Sequence, residues 1–147
     1  MSLTVRPIKP ADRAAWDGLY AAYAAFYGVE QTADMRDRVF GWLTENAHEV
    51  CGLCALEGDR LVGIAHYRVF ARPLSAATGL FLDDLFVAPE ARGSGAAGAL
   101  IDAVRAVARD GGHGVVRWIT AADNARARGL YDKIATQTGW VTYDLEV

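Results

Sequence analysis

Leu85-Phe86-Val87-Ala88-Pro89-Glu90-Ala91-Arg92-Gly93-Ser94-Gly95-Ala96-Ala97-Gly98-Ala99-Leu100 is the stretch on which the reading of this chain turns. An apolar run stops at Ala88-Pro89, and Leu100, Ile101, Val104 and Val107 then recur at helical spacing, so a strand passes through a glycine-rich turn into a helix over Gly95 to Arg109. Glycines in such a turn let backbone N–H groups converge on one hollow, and the helix N-terminus adds positive potential. That hollow suits a pyrophosphate. Gly111-Gly112 ends the helix.

Gly93, Gly95 and Gly98 also spell G-x-G-x-x-G, and Asp123, near the end of the next strand, stands where a dinucleotide-binding domain carries its ribose-binding acid. That motif sets its first glycine directly after the strand and opens a domain with several more βα units. Here Ala88 to Arg92 intervenes, and only one βα unit and a last strand remain.

Outward from this segment, the N-terminal half reads as hairpins. Leu3 to Ile8 alternates as a first strand, and Pro10-Ala11-Asp12 supplies a helix start. Trp16, Leu19, Tyr20, Tyr23, Phe26 and Tyr27 mark one face of that helix. A second helix runs from Thr32 or Asp34 to about Asn46. Val50 to Leu56 and Arg60 to Phe70 are strands joined at Glu57-Gly58-Asp59, and Gly79 to Val87 is a third long strand. Downstream, Val115 to Thr120 reads as a short buried strand, Asn124 to about Thr136 as a helix, and Trp140 to Val147 as a final alternating strand that looks unpaired after Thr142. Hairpins first and alternating strands and helices last predict a mixed α/β sheet with helices on both faces, in one domain over residues 1–147. An unpaired edge suits a second subunit, hence an expected homodimer.

Composition narrows the function. With 147 residues, 15 basic against 18 acidic side chains and a net charge of −3, no overall positive field is available to hold nucleic acid. The polar start with Arg6, Pro7 and Lys9 is not a signal peptide, and no apolar run reaches the roughly 18 residues of a membrane span, so a cytoplasmic protein is expected. Cys51-Gly52-Leu53-Cys54 opens an extended run rather than a helix, and His48, His66 and His113 show no paired metal spacing. Buried strand cysteines are the expected reading, with no metal.

Arg92-Gly93-Ser94-Gly95-Ala96-Ala97 resembles the Q/R-x-x-G-x-G/A signature of the GNAT superfamily of N-acetyltransferases, and Asn124-x-x-Ala127-x-x-Leu130-Tyr131-Asp132-Lys133 is similar to the family's N-x-x-A-x-x-L-Y-x-K segment. The resemblance implies the acyl-CoA N-acyltransferase fold, a central mixed sheet flanked by about four helices. It also implies acetyl-CoA as cosubstrate, its diphosphate on the amides of Arg92, Gly93, Ser94, Gly95, Ala96, Ala97 and Gly98, and its pantetheine arm along Leu85, Phe86 and Val87. Asn124 would bond the arm, cap its helix, or both.

Leu82-Asp83-Asp84-Leu85-Phe86-Val87 looks like the L-E-D-[LF]-[FY]-V run of polyamine-type and related small-amine acetyltransferases, which implies Asp83 as the base, with Asp84 the other candidate. An alkylammonium of pKa about 10 must lose a proton before it attacks, and aspartate, one methylene shorter than glutamate, favours a bridging water. Alternation puts the two aspartates on opposite faces. Tyr131 is the implied proton donor to the leaving thiolate. The acceptor is expected to be a primary amine on a small molecule or protein, attacking directly in a ternary complex. Tyr23, Tyr27 and Asp83 are candidate acceptor contacts, with core packing the alternative for the aromatic face. Acidic groups suit a cationic acceptor, whereas Arg68, Arg72 or Arg117 would hold a carboxylate. The rival from another class is a catalytically silent acyl-CoA-binding module.

Overall fold

The computed structural model describes residues 2–45 and 48–147. Its sheet holds β1 (Leu3–Pro7), β2 (Cys51–Glu57), β3 (Arg60–Arg72), β4 (Ala77–Val87) and β5 (Val116–Arg117), in that spatial order. The first four are antiparallel to their neighbours, and β4 and β5 alone run parallel. A dinucleotide-binding domain requires a mostly parallel, doubly wound sheet. This order removes that reading of the glycine loop.

Helices cover both faces. On one lie α1 (Arg13–Phe26) and α2 (Ala33–Thr44), where Ile8, Trp16, Phe40, Cys54, Leu56, Ile64 and Phe86 form a core. On the other lies α3 (Ala96–Asp110), whose Leu100, Ile101 and Val104 pack against Leu53, Ala55, Val62, Ala65, Leu80 and Leu82. Successive β2 residues therefore serve opposite cores, as the period of two requires. Small residues keep α3 close to the sheet: a Cβ at Gly63 would stand 3.0 Å from Leu100 Cδ1. Among the described residues, no helix is long and apolar enough to cross a membrane.

Local signals fix the boundaries. Thr32 caps α2 by accepting from the Met35 amide at 3.2 Å, and Gly58 turns the β2–β3 hairpin at φ 59°. The predicted end of α2 at Asn46 lies outside the described residues; the helix itself ends at Thr44. Asn124 caps α4 (Ala125–Ile134) by accepting from the Ala127 amide at 3.4 Å.

Three expectations are corrected. Val115 to Thr120 is a two-residue strand, because β5 diverges from β4 after the Phe81–Arg117 pair. Trp140 to Val147 is no strand: among the described residues it has no neighbour to pair with, and it lies exposed. Cys54 is buried as expected, and burial pushes its thiol up to about 11, but Cys51 at the start of β2 is exposed.

Candidate active site

The divergence of β4 and β5 opens the sheet where the sequence concentrates its candidate residues. Leu80 and Phe81 pair with Val116 and Arg117, and beyond them Leu82–Val87 has a ladder only with β3. The released edge faces a gap lined by Leu82, Asp83, Leu85, Trp118, Ile119, Thr120 and Tyr131, together with Tyr23 of α1 and Tyr27 just past the end of that helix. An extended chain with amide groups of its own can pair with such an edge.

The glycine loop continues directly from this edge. After Val87 the chain makes a 3-10 turn at Pro89–Ala91, then takes φ 85° at Gly93 and φ 89° at Gly95 before α3 begins. These left-handed conformations suit glycine and turn successive amides the same way. Ser94 N–H bonds to Ala91 O and Ala96 N–H to Ser94 Oγ, but among the described residues the amides of Gly93, Gly95, Ala97 and Gly98 have no protein acceptor. A Cβ at Gly93 or Gly98 would meet nothing within 4 Å, so these faces are open. Open donors at the start of a 15-residue helix fit an anionic diphosphate. Arg92 turns its guanidinium over the Phe86 and Phe26 rings instead.

Asp83 and Asp84 share one cavity despite strand alternation. The β3–β4 register pairs His66 with Asp84 and Tyr67 with Leu82, leaving Asp83 as the extra residue of a bulge. A bulge re-aims side chains, and both carboxylates border a cavity of about 340 Å³ with Tyr20, Trp42, His48, Glu49, His66 and Arg68. Asp83 also borders the gap, with Leu85 and Tyr131.

The two carboxylates differ in partners. Buried His66 bonds Asp84 Oδ2 through Nδ1 at 2.8 Å and meets the indole N–H of fully buried Trp16 through Nε2 at 2.9 Å. Indole only donates, so Nε2 accepts and Nδ1 carries the proton it gives to Asp84. Tyr20 O–H adds a second bond to Oδ2 at 2.9 Å. Burial raises the Asp84 pKa, but the bonds from His66 and Tyr20 outweigh it and hold the carboxyl below its usual range. Asp83 accepts from Arg68 Nε at 3.0 and 3.3 Å, yet burial outweighs this bond and raises its pKa. Of the two, Asp83 is the one set to take up a proton.

Tyr131 projects from α4 into the gap, its ring edge-on to Trp118 at 5.3 Å. Burial raises its phenol pKa, which keeps the proton available for donation. Tyr23 and Tyr27 line the gap rather than the cavity, while Tyr20 lines the cavity and Trp16 is core. Of the three arginines, Arg68 lines the cavity; Arg117 stacks over Phe70 at 5.1 Å. Sequence reasoning missed His66 and the wall of Trp42 and His48, whose rings stack at 4.4 Å. The signal for His66 was its place on β3 opposite Asp84, legible only once the register is known.

Comparison with known proteins agrees with this geometry. The Acetyltransferase (GNAT) family model matches residues 16–135. The chain is 29% identical over 144 residues to the D-amino-acid N-acetyltransferase HPA3 of Saccharomyces cerevisiae, covering 96% of this chain and 89% of that one. It is 31% identical over 147 residues to the N-acetyltransferase YhfO of Bacillus subtilis, covering 99% and 98%. Its fold superposes with a TM-score of 0.87 at 16% identity on an aminoglycoside acetyltransferase, AAC(6')-Iy, in complex with a CoA bisubstrate analogue, covering 100% and 99%. With the ribosomal-protein-alanine N-acetyltransferase of Brucella melitensis biovar Abortus the TM-score is 0.84 at 21% identity, covering 99% and 100%. A strand that parts from its parallel neighbour, a loop of open amides running from it into a helix, and a profile match across most of the sequence lead to one assignment: the chain belongs to the GNAT family and is an acetyl-CoA-dependent N-acetyltransferase.

Proposed function

We propose that this enzyme acetylates a small primary amine by direct attack in a ternary complex, and that the acceptor is an amino acid. The observation that carries the reading is the position of Asp83, which borders both the 340 Å³ cavity and the gap that holds Tyr131. An amine seated in the cavity gives its proton to Asp83, directly or through water, and attacks the thioester carbonyl in the gap. The departing thiolate takes the Tyr131 phenolic proton. Leu85, Phe86 and Val87 pair with the pantetheine arm, the open amides of Gly93, Gly95, Ala97 and Gly98 hold the diphosphate while those of Arg92, Ser94 and Ala96 bond within the loop, and Asn124 both caps α4 and bonds the arm.

An amino acid is favoured over a polyamine because Arg68 commits only its Nε to Asp83, leaving two NH2 groups for a carboxylate beside the acidic pair that receives the ammonium. The name of the yeast relative, a D-amino-acid N-acetyltransferase, is consistent with this choice. Initial rates over amino acids, simple monoamines and diamines test it. Arg68→Ala is expected to raise KM for amino acids about tenfold or more and to leave monoamines little changed; equal losses on both would overturn the acceptor assignment. A catalytically silent acyl-CoA binder would bind coenzyme A and acetylate nothing in the panel. The two free thiols suit a reducing, cytoplasmic setting, and the chain is read as one domain that works as a homodimer.

A further inference from the structure

The cavity of about 340 Å³ offers more room than an ammonium and a carboxylate fill. An α-amino acid carries both groups on one carbon, and Arg68 Nε lies 3.0 Å from Asp83 Oδ2, so both are met at one end of the cavity. The Arg68 guanidinium is fixed there by Asp83 and by the Phe81 ring 5.0 Å away. Tyr20, His66 and Asp84 bond one another, which leaves Val39, Trp42, His48, Glu49 and Val50 for the acceptor's side chain. Trp42 and His48 form a plate, their rings 4.4 Å apart and 2° from parallel. His48 Nδ1 accepts the Val50 amide at 3.1 Å, which holds the imidazole in place. Glu49 is exposed, so it stands at the cavity mouth, and among the described residues its carboxylate has no partner. Three carboxylates, Glu49, Asp83 and Asp84, thus border the cavity against the single guanidinium of Arg68. A neutral zwitterion leaves that excess unchanged, whereas a cation on the acceptor's side chain offsets it.

We propose, resting on the amino-acid reading above, that the cavity selects amino acids with a long cationic side chain: its methylenes lie across the Trp42–His48 plate, its terminal cation meets Glu49, and the α-amine is acetylated. An aromatic face takes up hydrocarbon and cation alike, so the plate guides such a side chain along its whole length. Arg68 beside Asp83 selects the nitrogen. With the terminal amine at Asp83 instead, the carboxylate would leave Arg68 and turn toward Glu49, like charge against like. The α-ammonium gives its proton to Asp83, the new C–N bond replaces the C–S bond of acetyl-CoA, and the thiolate leaves with the Tyr131 proton. The product is the Nα-acetyl amino acid, its side-chain cation intact.

Initial rates with lysine, arginine, norleucine and phenylalanine, each as both enantiomers, on the full chain and on Glu49→Gln give the test, with the acetylated nitrogen located by NMR. Lysine and arginine are expected to exceed norleucine in kcat/KM by about fivefold, the most that one exposed ion pair supplies, with the margin shrinking as salt is raised. Glu49→Gln is expected to abolish that margin, and the product to carry its acetyl group on Nα. Trp42→Ala is expected to raise KM for lysine and norleucine together, since both lay methylenes on the plate. Equal rates for lysine and norleucine, or a margin that survives Glu49→Gln, would overturn the side-chain site while leaving the amino-acid reading standing. Phenylalanine as the best acceptor would overturn it in favour of aromatic stacking on Trp42, and Nε-acetyl-lysine would overturn the orientation. Acetylation of diamines with no amino acid accepted would overturn both readings. Glu49 is exposed, so its substitution keeps the result decisive should Trp42→Ala fail to fold.

Discussion

Asp83 and Asp84 are adjacent in sequence, and their surroundings drive them in opposite directions. Asp84 sits at the end of a chain of bonds running from the Trp16 indole through His66, with Tyr20 bonded beside it. Both bonds end on Oδ2, where an asparagine oxygen accepts them without the carboxylate charge, so Asp84→Asn is expected to lower stability by about 1–3 kcal/mol in thermal unfolding. The sign with pH follows from the folded carboxyl lying below its ordinary value of 3.8. Its contribution is complete above that value and is lost as pH falls through the lower, folded pKa. Asp83 has the opposite sign. Its raised folded pKa makes ionisation cost stability at neutral pH, so Asp83→Asn is expected to hold or raise Tm while lowering kcat/KM on the order of 10²-fold or more. A stable but fully active Asp83→Asn would remove it as the base. Tyr131→Phe is expected to lower kcat on the order of 10²-fold and to leave acetyl-CoA affinity unchanged by calorimetry. Tyr131 and both carboxylates were legible as residue types. The contrast between the carboxylates was not, because it arises from a bulge and from a histidine far away in sequence that only the strand register brings near.

At the scale of the element, the loop from Val87 into α3 trades stability for open amides. Gly93 and Gly95 hold positive φ, so alanine at either is expected to cost about 1–2 kcal/mol through backbone strain. Gly98 is different, since it lies in the first turn of α3 with open space around its missing Cβ. Gly98→Ala should therefore stabilise the free enzyme by up to about 1 kcal/mol through helix propensity and weaken acetyl-CoA binding by placing a methyl against the diphosphate. Greater stability with undiminished affinity would place the diphosphate elsewhere. This element was the most legible in the sequence, because its strand, turn glycines and helix period are all local. The last strand was legible as an alternating pattern and absent as a structure, because a strand forms only against a partner edge and periodicity names no partner.

Across the whole molecule, two hydrophobic cores on opposite faces of one sheet hold the fold, and the candidate site lies where β4 and β5 part. Hairpins before the glycine loop and βα alternation after it were readable from period and turn residues. The point of divergence was not, since it depends on β5 being two residues long rather than six. If one coenzyme spans the loop and the gap, binding stabilises the folded chain as a unit. Acetyl-CoA at about 100 times its Kd is then expected to add roughly 2.7 kcal/mol, seen as a rise in Tm. The measurement that bears most directly on the central claim is a titration of acetyl-CoA followed by backbone amide chemical shifts. Saturable shifts at Gly93, Gly95, Ala97 and Gly98, together with Leu85 to Val87 and unaffected by excess NAD, are the predicted result. Amides in the loop that stay still while the cosubstrate saturates another surface would contradict it.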